Sequence, residues 1–238
     1  FHRERQWCET EQKWIGWERK RGKLEELNRF LTGSADAPGP ECVAAGRAPS
    51  DIRFVITLDS DTQLPIHAAR ELVGALSHPL NRARLDPVLQ RVTEGYGVLQ
   101  PRVAVNLASA NRTLVARVFS GHVGLDPYTT AVSDVYQDLF HEGSYVGKGI
   151  YDVDAFEAAL AGRVPENTLL SHDLFEGLYA RAGLVTDVQL VDDYPAHYLT
   201  FTARQHRWVR GDWQILFWLF PFAPSRRGLQ RNTLPIIG

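Results

Sequence analysis

The chain has 238 residues, 44% of them hydrophobic and 23% charged, and its formal net charge is −2 at pH 7. This hydrophobic fraction excludes a disordered chain, and the small net charge gives no sign of a nucleic-acid-binding protein. No stretch approaches the roughly 18 consecutive apolar residues that a membrane-spanning helix needs. The two cysteines show no zinc-binding spacing, and the length favours one α/β domain. The chain opens on charged residues and contains no methionine, so we expect an excised part of a larger protein.

Hydrophobic periodicity predicts helices and strands that alternate along the chain. In the first part of the chain we predict a helix over 14–32, a loop or insertion over 33–51, a buried strand over 52–59 and a helix over 65–78 with Pro65 in its first turn. We then predict a strand over 95–105 that Pro101 breaks or places at an edge, a helix over 111–125 and a helix from about 155 capped by Asp154. The last predicted elements are a helix within 171–183 ending at Gly183, a strand over 184–195 and an aromatic, arginine-bearing helix over 199–222. This alternation predicts an α/β sandwich with a mostly parallel sheet.

Two carboxylates stand at the end of the first buried strand. Asp59 and Asp61 follow "FVIT" with one residue between them. In an extended segment such residues face the same side, and ligands of open α/β sheets bind beyond the carboxyl ends of strands. Two neighbouring carboxylates repel each other unless a cation or strong donors separate them, so we expect Mg²⁺ or Mn²⁺ bridged to phosphates. The structural alternative is a solvated turn, because "DSDTQLP" also suits a turn.

Two metal–phosphate chemistries use a strand followed by this DxD pattern. In a phosphatase of the haloacid dehalogenase type, Asp59 would be the nucleophile, and Lys148 with the acidic pair in 191–193 would complete the site. Gln63 stands where that type expects Thr or Val. In a glycosyltransferase of the GT-A type, the carboxylates hold a metal on a nucleotide-sugar diphosphate.

Two later motifs add candidate residues. Asp173 opens a predicted helix in "SHDLFEG", where a carboxylate is also favoured by the helix dipole alone. In "RQHRWVRGDWQ", Arg207 and Arg210 share a helix face that suits phosphates, and Trp208 and Trp213 suit stacking on sugar rings. The structural alternative is an amphipathic helix with tryptophans in the core and arginines reaching solvent.

The order of "KRGKLEELN", "ITLDSDTQLP", "GSYVGKGIYDVDAFE", "LLSHDLFEG" and "RQHRWVRGDWQ" resembles the processive family 2-type inverting glycosyltransferases. More closely, it resembles the glycosyltransferase domain of bacterial cyclic β-1,2-glucan synthases. The resemblance covers residues 1–238 and implies a partial GT-A domain, Rossmann-like, with a mostly parallel sheet flanked by helices and without its first strand or strands. It implies transfer of glucose from UDP-glucose to a growing β-1,2-glucan, with Mg²⁺ or Mn²⁺ as cofactor.

The resemblance also implies roles for individual residues. Asp173 would be the catalytic base, and Asp59 and Asp61 would bind the metal. The remaining implied residues fall into a donor-binding set, Lys23, Arg207 and Arg210, and an acceptor-binding set, Trp208, Gly143, Ser144, Tyr145, Gly147 and Lys148. This sequence departs from the family pattern at Arg204, which stands in place of a glutamine, and at His172, which stands in place of a glutamate.

The implied partners are UDP-glucose, a glucan acceptor and the remaining domains of a larger membrane synthase, with no nucleic acid. The implied location is the cytoplasmic face of the bacterial inner membrane. A further hypothesis is a non-catalytic segment that only packs within such a synthase, through the apolar stretch "ILFWLFPFAP".

Overall fold

A computed structural model describes residues 2–33, 42–43, 51–120, 135–169 and 172–234. The helices in these ranges are α1 (Arg19–Thr32), α2 (Ala68–Ser77), α3 (Leu107–Ala110), α4 (Leu114–Phe119), α5 (Val135–Phe140), α6 (Val153–Leu160), α7 (Asp173–Ala180) and α8 (Tyr198–Ile215), with 3₁₀ turns at Pro79–Asn81 and Leu216–Leu219. The strands are β1 (His2–Arg3), β2 (Gln6–Cys8), β3 (Lys13–Ile15), β4 (Cys42–Val43), β5 (Phe54–Thr57), β6 (Thr62–Gln63), β7 (Arg84–Asp86), β8 (Arg91–Glu94), β9 (Val98–Val105), β10 (Gly149–Asp152), β11 (Ala182–Asp192), β12 (Phe222–Ser225) and β13 (Gly228–Arg231).

A five-stranded sheet in the order β5-β10-β9-β11-β6 forms the centre of the fold. Strands β9 and β11 pair in parallel, whereas β10 is antiparallel to both β5 and β9, and β6 is antiparallel to β11. The α/β class is confirmed, but the sheet is mixed rather than mostly parallel in its pairings. The reason is that β10 begins opposite Thr57, at the carboxyl end of β5, and must run back from there.

Neighbouring residues of the central strands contribute to different cores, as strand geometry requires. Leu99 of β9 and Ile150 of β10 pack with α2, whose Leu72 is fully buried. Val98 and Tyr151, each one position away, belong to a second core with α6 and α7. Helices therefore cover both faces of the sheet, and the sheet edges remain available for a site.

Pro101 lies inside β9, which is a central strand, so the prediction of a break or an edge is wrong. Strand β10 pairs with β9 only at Val98 and Leu99, and Pro101 pairs on the other side with Val185 of β11. Because proline has no N–H, it fits in a sheet only where the neighbouring strand needs no hydrogen bond from that residue. The early end of the β10 pairing provides one.

Several helix boundaries differ from the predictions. Helix α1 begins at Arg19, because the preceding residues form the hairpin of β2 and β3. Asp152, not Asp154, caps α6, since its Oδ1 accepts the Ala155 N–H at 3.1 Å. Helix α7 ends before β11, which contains Gly183, and α8 ends at Ile215. Most of the predicted loop 33–51, and 121–125 of the predicted helix 111–125, lie outside the described residues.

No described helix is both long enough and apolar enough to cross a membrane.

Gly149 makes a direct test of this sheet. Its φ is +150°, and a Cβ there would lie 2.1 Å from the Leu99 carbonyl oxygen. We expect Gly149→Ala to lower the free energy of unfolding by about 1–3 kcal/mol, measured by urea denaturation. The matched control is Gly74→Ala in α2, where nothing lies within 4 Å of the added Cβ. The control should raise stability by up to about 1 kcal/mol. Equal effects of the two substitutions would contradict the packing of β10 on β9.

Candidate active site

Three strand ends bring charged side chains to one edge of the sheet. Asp59 follows β5, Lys148 directly precedes β10, and Asp192 is the last residue of β11. Strands β5 and β11 run in the same direction, so their carboxyl ends meet at the edge where β10 begins. This is the edge at which ligands of α/β sheets bind.

Asp59 is held between two ammonium groups. Lys20 Nζ of α1 lies 2.6 Å from its Oδ1, and Lys148 Nζ lies 3.3 Å from its Oδ2. Burial by itself raises the pKa of Asp59, but the contacts with Lys20 and Lys148 outweigh it and leave this pKa below its usual value of 3.8. Asp59 is therefore ionised at neutral pH.

Lys148 joins Asp59 to Asp192. Its ammonium also forms an ion pair with Asp192 Oδ2, and Thr62 Oγ1 donates a hydrogen bond to Asp192 Oδ1 at 2.7 Å. Burial lowers the pKa of Lys148, yet the pairs with Asp192 and Asp59 outweigh burial and raise this pKa above 10.5. The ammonium thus keeps its charge, and it fixes the ends of β5, β10 and β11 relative to one another.

Asp61 lies in a turn rather than in the extended segment that we predicted. The Thr62 N–H donates to the Asp59 carbonyl at 3.1 Å, and the Asp61 carbonyl accepts from the Asp193 N–H at 3.1 Å. The Asp61 side chain is exposed. The turn alternative therefore describes the backbone, while Asp59 differs from a solvated turn aspartate because two lysines hold it.

Asp173 also lies near these strand ends, because it adjoins Gly147. It is the first residue of α7, and a Cβ at Gly147, whose φ is +84°, would lie 2.5 Å from its Oδ1. The Gly147 carbonyl in turn accepts a hydrogen bond from Lys20 Nζ at 2.6 Å. Lys20 thereby links Gly147 to Asp59, so the predicted metal ligand Asp59 and the predicted base Asp173 lie on either side of one glycine.

Two buried groups lie beneath Asp173. His172 Nε2 is 3.5 Å from Asp173 Oδ1 and 3.7 Å from Glu176 Oε1. Burial, with a further contribution from Asp173, raises the pKa of Glu176 well above 4.5. Burial also lowers the pKa of His172, and it outweighs the opposing effect of Asp173. At neutral pH the imidazole is therefore uncharged, and Glu176 retains its proton at pH values where a solvated carboxyl is ionised.

The predicted acceptor segment 143–148 crosses the sheet edge, and its members differ in exposure. The Gly143 N–H donates to the Ala182 carbonyl at 2.7 Å, which fixes the segment to β11. Tyr145 is 1% exposed, and its hydroxyl lies 2.8 Å from Thr57 Oγ1. The prediction that Tyr145 contacts an acceptor is not supported by this position, because its ring fills the core. Ser144 is half-buried.

Helix α8 carries its predicted residues on the surface. Trp208 is 40% exposed and Trp213 69%, so the alternative with tryptophans in the core does not hold for this helix. The Arg204 guanidinium lies 4.5 Å from the centre of the Trp208 ring, and Arg207 is exposed. Within the described ranges, neither a hydrogen bond nor an ion pair connects Arg207 or Trp208 to Asp59 or Asp173.

Arg210 connects α8 to the start of α1. Its guanidinium lies 3.5 Å from Glu11, which also pairs with Arg19 at 3.1 Å. Burial raises the pKa of Glu11, but Lys13, Arg19 and Arg210 outweigh it and lower this pKa overall. The arginine face of α8 therefore adjoins the turn of helix that carries Lys20.

Sequence reasoning missed two residues of this site. Lys20, not Lys23, contacts Asp59, and Lys23 is exposed on the next turn of α1; its donor-binding role stays a prediction. Asp192 was considered only within the phosphatase alternative. A signal for it was present, because Asp192, like Asp59, comes at the carboxyl end of an apolar strand.

Comparison with known proteins agrees with the resemblance read from the motifs. The chain is 51% identical over 221 residues, 92% of its length, to the protein described as cyclic beta-(1,2)-glucan synthase NdvB of Rhizobium meliloti (strain 1021). The match covers 8% of that protein, so the chain spans a small part of this relative. No protein-family profile matches the chain. The resemblance to a cyclic glucan synthase is confirmed, and the identity supports a chain that corresponds to one segment of such a protein.

The Lys148 ion pairs should contribute strongly to stability. Lys148→Met leaves Asp192, whose side chain is 9% exposed, without its cationic partner. Breaking a buried pair from one side costs about 3–5 kcal/mol of unfolding free energy. The control is Arg84→Met, which breaks an exposed pair with Glu94 and should cost less than about 1 kcal/mol. Urea denaturation measures both.

The pH dependence of the Lys148 contribution has a defined sign. The raised pKa of Lys148 means that its contribution is present below pH 10.5 and is lost as pH rises through the folded value. The lowered pKa of Asp59 means that its contribution is present above pH 3.8 and is lost as pH falls. The difference between wild type and Lys148→Met should therefore stay level between these limits. A difference that changed steeply near pH 7 would contradict the assignment.

Proposed function

We propose that this chain, as a segment of a cyclic glucan synthase, forms the catalytic part of an inverting glycosyltransferase. It transfers glucose from UDP-glucose to a growing β-1,2-glucan and depends on Mg²⁺ or Mn²⁺. In this proposal it works within a larger membrane synthase at the cytoplasmic face of the bacterial inner membrane. The observation that carries the proposal is the meeting of Asp59 and Asp173 around Gly147, because a donor diphosphate and an acceptor hydroxyl must lie within one sugar ring of each other.

The carboxylates of the turn suit the proposed cation. Asp59 is ionised and Asp61 is exposed, and hard oxygen ligands of this kind are those that Mg²⁺ and Mn²⁺ prefer. Asp59 and Asp61 would hold the cation, which neutralises diphosphate charge when bound. Lys20 and Lys148 already stand at Asp59, so the chain brings two further positive charges to the same place.

The lysines suit the leaving group of the transfer. As the bond from the anomeric carbon to the diphosphate oxygen breaks, UDP gains negative charge. The Lys148 ammonium is 11% exposed and stays charged, so it is a fixed donor that needs little reorganisation. Arg207 and Arg210 would add positive charge from α8, and Lys23 from α1.

Asp173 suits the role of base. Its side chain is 26% exposed, enough for contact with an acceptor hydroxyl. The acceptor oxygen would attack the anomeric carbon on the face opposite the diphosphate while its proton passes to the Asp173 carboxylate. A new glycosidic bond forms, UDP departs, and the anomeric configuration is inverted. Gly147 permits this approach because any side chain there would collide with the carboxylate. Trp208, Gly143, Ser144, Gly147 and Lys148 remain the proposed acceptor contacts.

A metal-dependent phosphatase is the second candidate, and one observation favours it. Lys148 and Asp192 lie beside Asp59, which is the grouping that the phosphatase alternative requires. The 51% identity to a glucan synthase favours the glycosyltransferase. Hydrolysis of p-nitrophenyl phosphate that is lost in Asp59→Asn would reverse this preference. A third candidate, a non-catalytic packing segment, draws support from the exposed Trp213 and Phe217.

Asp61→Asn tests the nucleotide site. Calorimetric titration of UDP into wild-type protein should show binding that requires Mn²⁺, and Asp61→Asn should weaken it at least ~10-fold because a hard anionic ligand is lost. The control is Asp154→Asn, an exposed carboxylate in the first turn of α6, which should bind UDP as wild type does. Unchanged, metal-dependent UDP binding by a folded Asp61→Asn protein would remove Asp61 from the metal site.

Asp173→Asn tests the base. We expect retained UDP binding and a loss of glucosyl transfer of about 10²–10⁴-fold, the usual contribution of a general base. The assay is incorporation of labelled glucose from UDP-glucose into glucan, with linkage analysis of the product. Loss of UDP binding would place Asp173 at the nucleotide instead, and wild-type transfer would exclude it as the base.

A further inference from the structure

Three side chains that could hold a metal ion converge at the start of α7, away from the Asp59–Asp61 turn. His172, Asp173 and Glu176 come from the N-cap and first turn of α7, and one donor atom from each lies within 4.8 Å of the other two. His172 Nε2 stands 3.5 Å from Asp173 Oδ1 and 3.7 Å from Glu176 Oε1. Ligand atoms of a tetrahedral site with bonds of about 2.0–2.2 Å stand roughly 3.3–3.6 Å apart. The spacing around His172 is thus close to that of a metal site.

The polar atoms of this cluster are buried without hydrogen bonds. Among the described residues, His172 Nε2, Asp173 Oδ1 and Glu176 Oε2 have no hydrogen-bond partner. The His172 and Glu176 side chains are only 7% and 3% exposed. A buried polar atom that stays unsatisfied opposes folding. Three such atoms on neighbouring side chains favour a ligand that the cluster could bind.

The positive charges nearest the cluster are already paired with other carboxylates. Lys20 and Arg21 of α1 face it, as do Glu18 and Glu25. Arg21 is already paired with Glu18 at 2.6 Å and with Glu25 at 3.3 Å, and Lys20 is paired with Asp59. Their positive charges are therefore largely balanced by other carboxylates.

We propose that His172, Asp173 and Glu176 form a second cation site, for a divalent transition metal such as Zn²⁺. One imidazole nitrogen with two carboxyl groups suits Zn²⁺ better than Mg²⁺, which prefers oxygen ligands alone, and binding of the metal would displace the proton that Glu176 otherwise retains. The site needs the tautomer with the proton on Nδ1.

At the proposed site, Asp173 would either bind the cation or accept the proton of the acceptor hydroxyl. A carboxylate bound to a cation accepts a proton less readily. Zn²⁺ at this site therefore suppresses glucosyl transfer, a consequence that rests on the proposed function of Asp173 as the base. Metal binding itself does not depend on that function.

The test is calorimetric titration of Zn²⁺ alone into protein carrying Asp61→Asn, which weakens the other metal site. We expect about one equivalent to bind per chain, and the affinity to fall at least ~10-fold when His172→Ala or Glu176→Gln is added. The matched control is His206→Ala, an exposed histidine on α8, which should leave the affinity unchanged. Circular dichroism checks that each protein is folded, and the isosteric Glu176→Gln carries the test if His172→Ala does not fold.

Two outcomes would overturn the proposal. The first is the absence of stoichiometric Zn²⁺ binding to folded protein, which would mean that the cluster shares a proton instead. The second is Zn²⁺ binding that neither His172→Ala nor Glu176→Gln weakens, whatever the effect of His206→Ala. Failure of the proposed function would be seen in a different experiment. Protein with an intact Asp61 would then not bind UDP, or would bind it equally well without Mn²⁺.

Discussion

The ion pair of Lys148 with Asp192 and Asp59 is the interaction on which the candidate site depends. One buried ammonium holds the ends of β5, β10 and β11 at a single edge of the sheet. Without it two carboxylates would face each other in a half-buried place, where their repulsion opposes folding. The same charge that permits the fold is the charge that a diphosphate would meet. The fold and the proposed function therefore both require the positive charge of Lys148.

Gly147 adds a steric constraint to this electrostatic one. The backbone passes so close to Asp173 that only a hydrogen atom fits on the α-carbon, and its positive φ also favours glycine. Its carbonyl meanwhile receives Lys20. Gly147 thus adjoins Asp173 directly and is connected to Asp59 through the Lys20 ammonium.

The sequence predicted the parts of the fold that follow from local pattern. Helix α2, strand β11 and the carboxyl-end position of Asp59 depend on hydrophobic periodicity, which is visible along the chain. Pro101 was misjudged because its tolerance depends on where β10 stops, a fact of strand pairing. The burial of Tyr145 could not be predicted, because a polar, glycine-rich sequence does not show that a ring packs in the core. The positions of Pro101 and Tyr145 depend on contacts with residues that are distant in the sequence.

In the candidate site, too, some residues could be predicted from motifs, whereas others are revealed only by contacts in the folded chain. Asp59, Asp173 and Lys148 were predicted from motifs and are brought together by the structure. Lys20 and Lys23 lie three residues apart in one basic segment, and sequence alone could not decide which of them faces the strand end. The cluster under Asp173 was not foreseen, because His172 and Glu176 look ordinary in a helix start. Their significance comes from burial, which changes the protonation of both.

The contacts of Asp59 also have a consequence for how the chain acquires its site during synthesis. Lys20 precedes the turn, but Lys148 and Asp192 are made much later, and β6 pairs with the last residues of β11. Contacts between distant parts of a chain form slowly, because a long loop must close first. A ribosome-bound chain that ends before β11 therefore carries the Asp59 turn without its clamp. The turn acquires these contacts only after β11 has been made, so a shorter chain lacks the arrangement that is proposed to bind the donor.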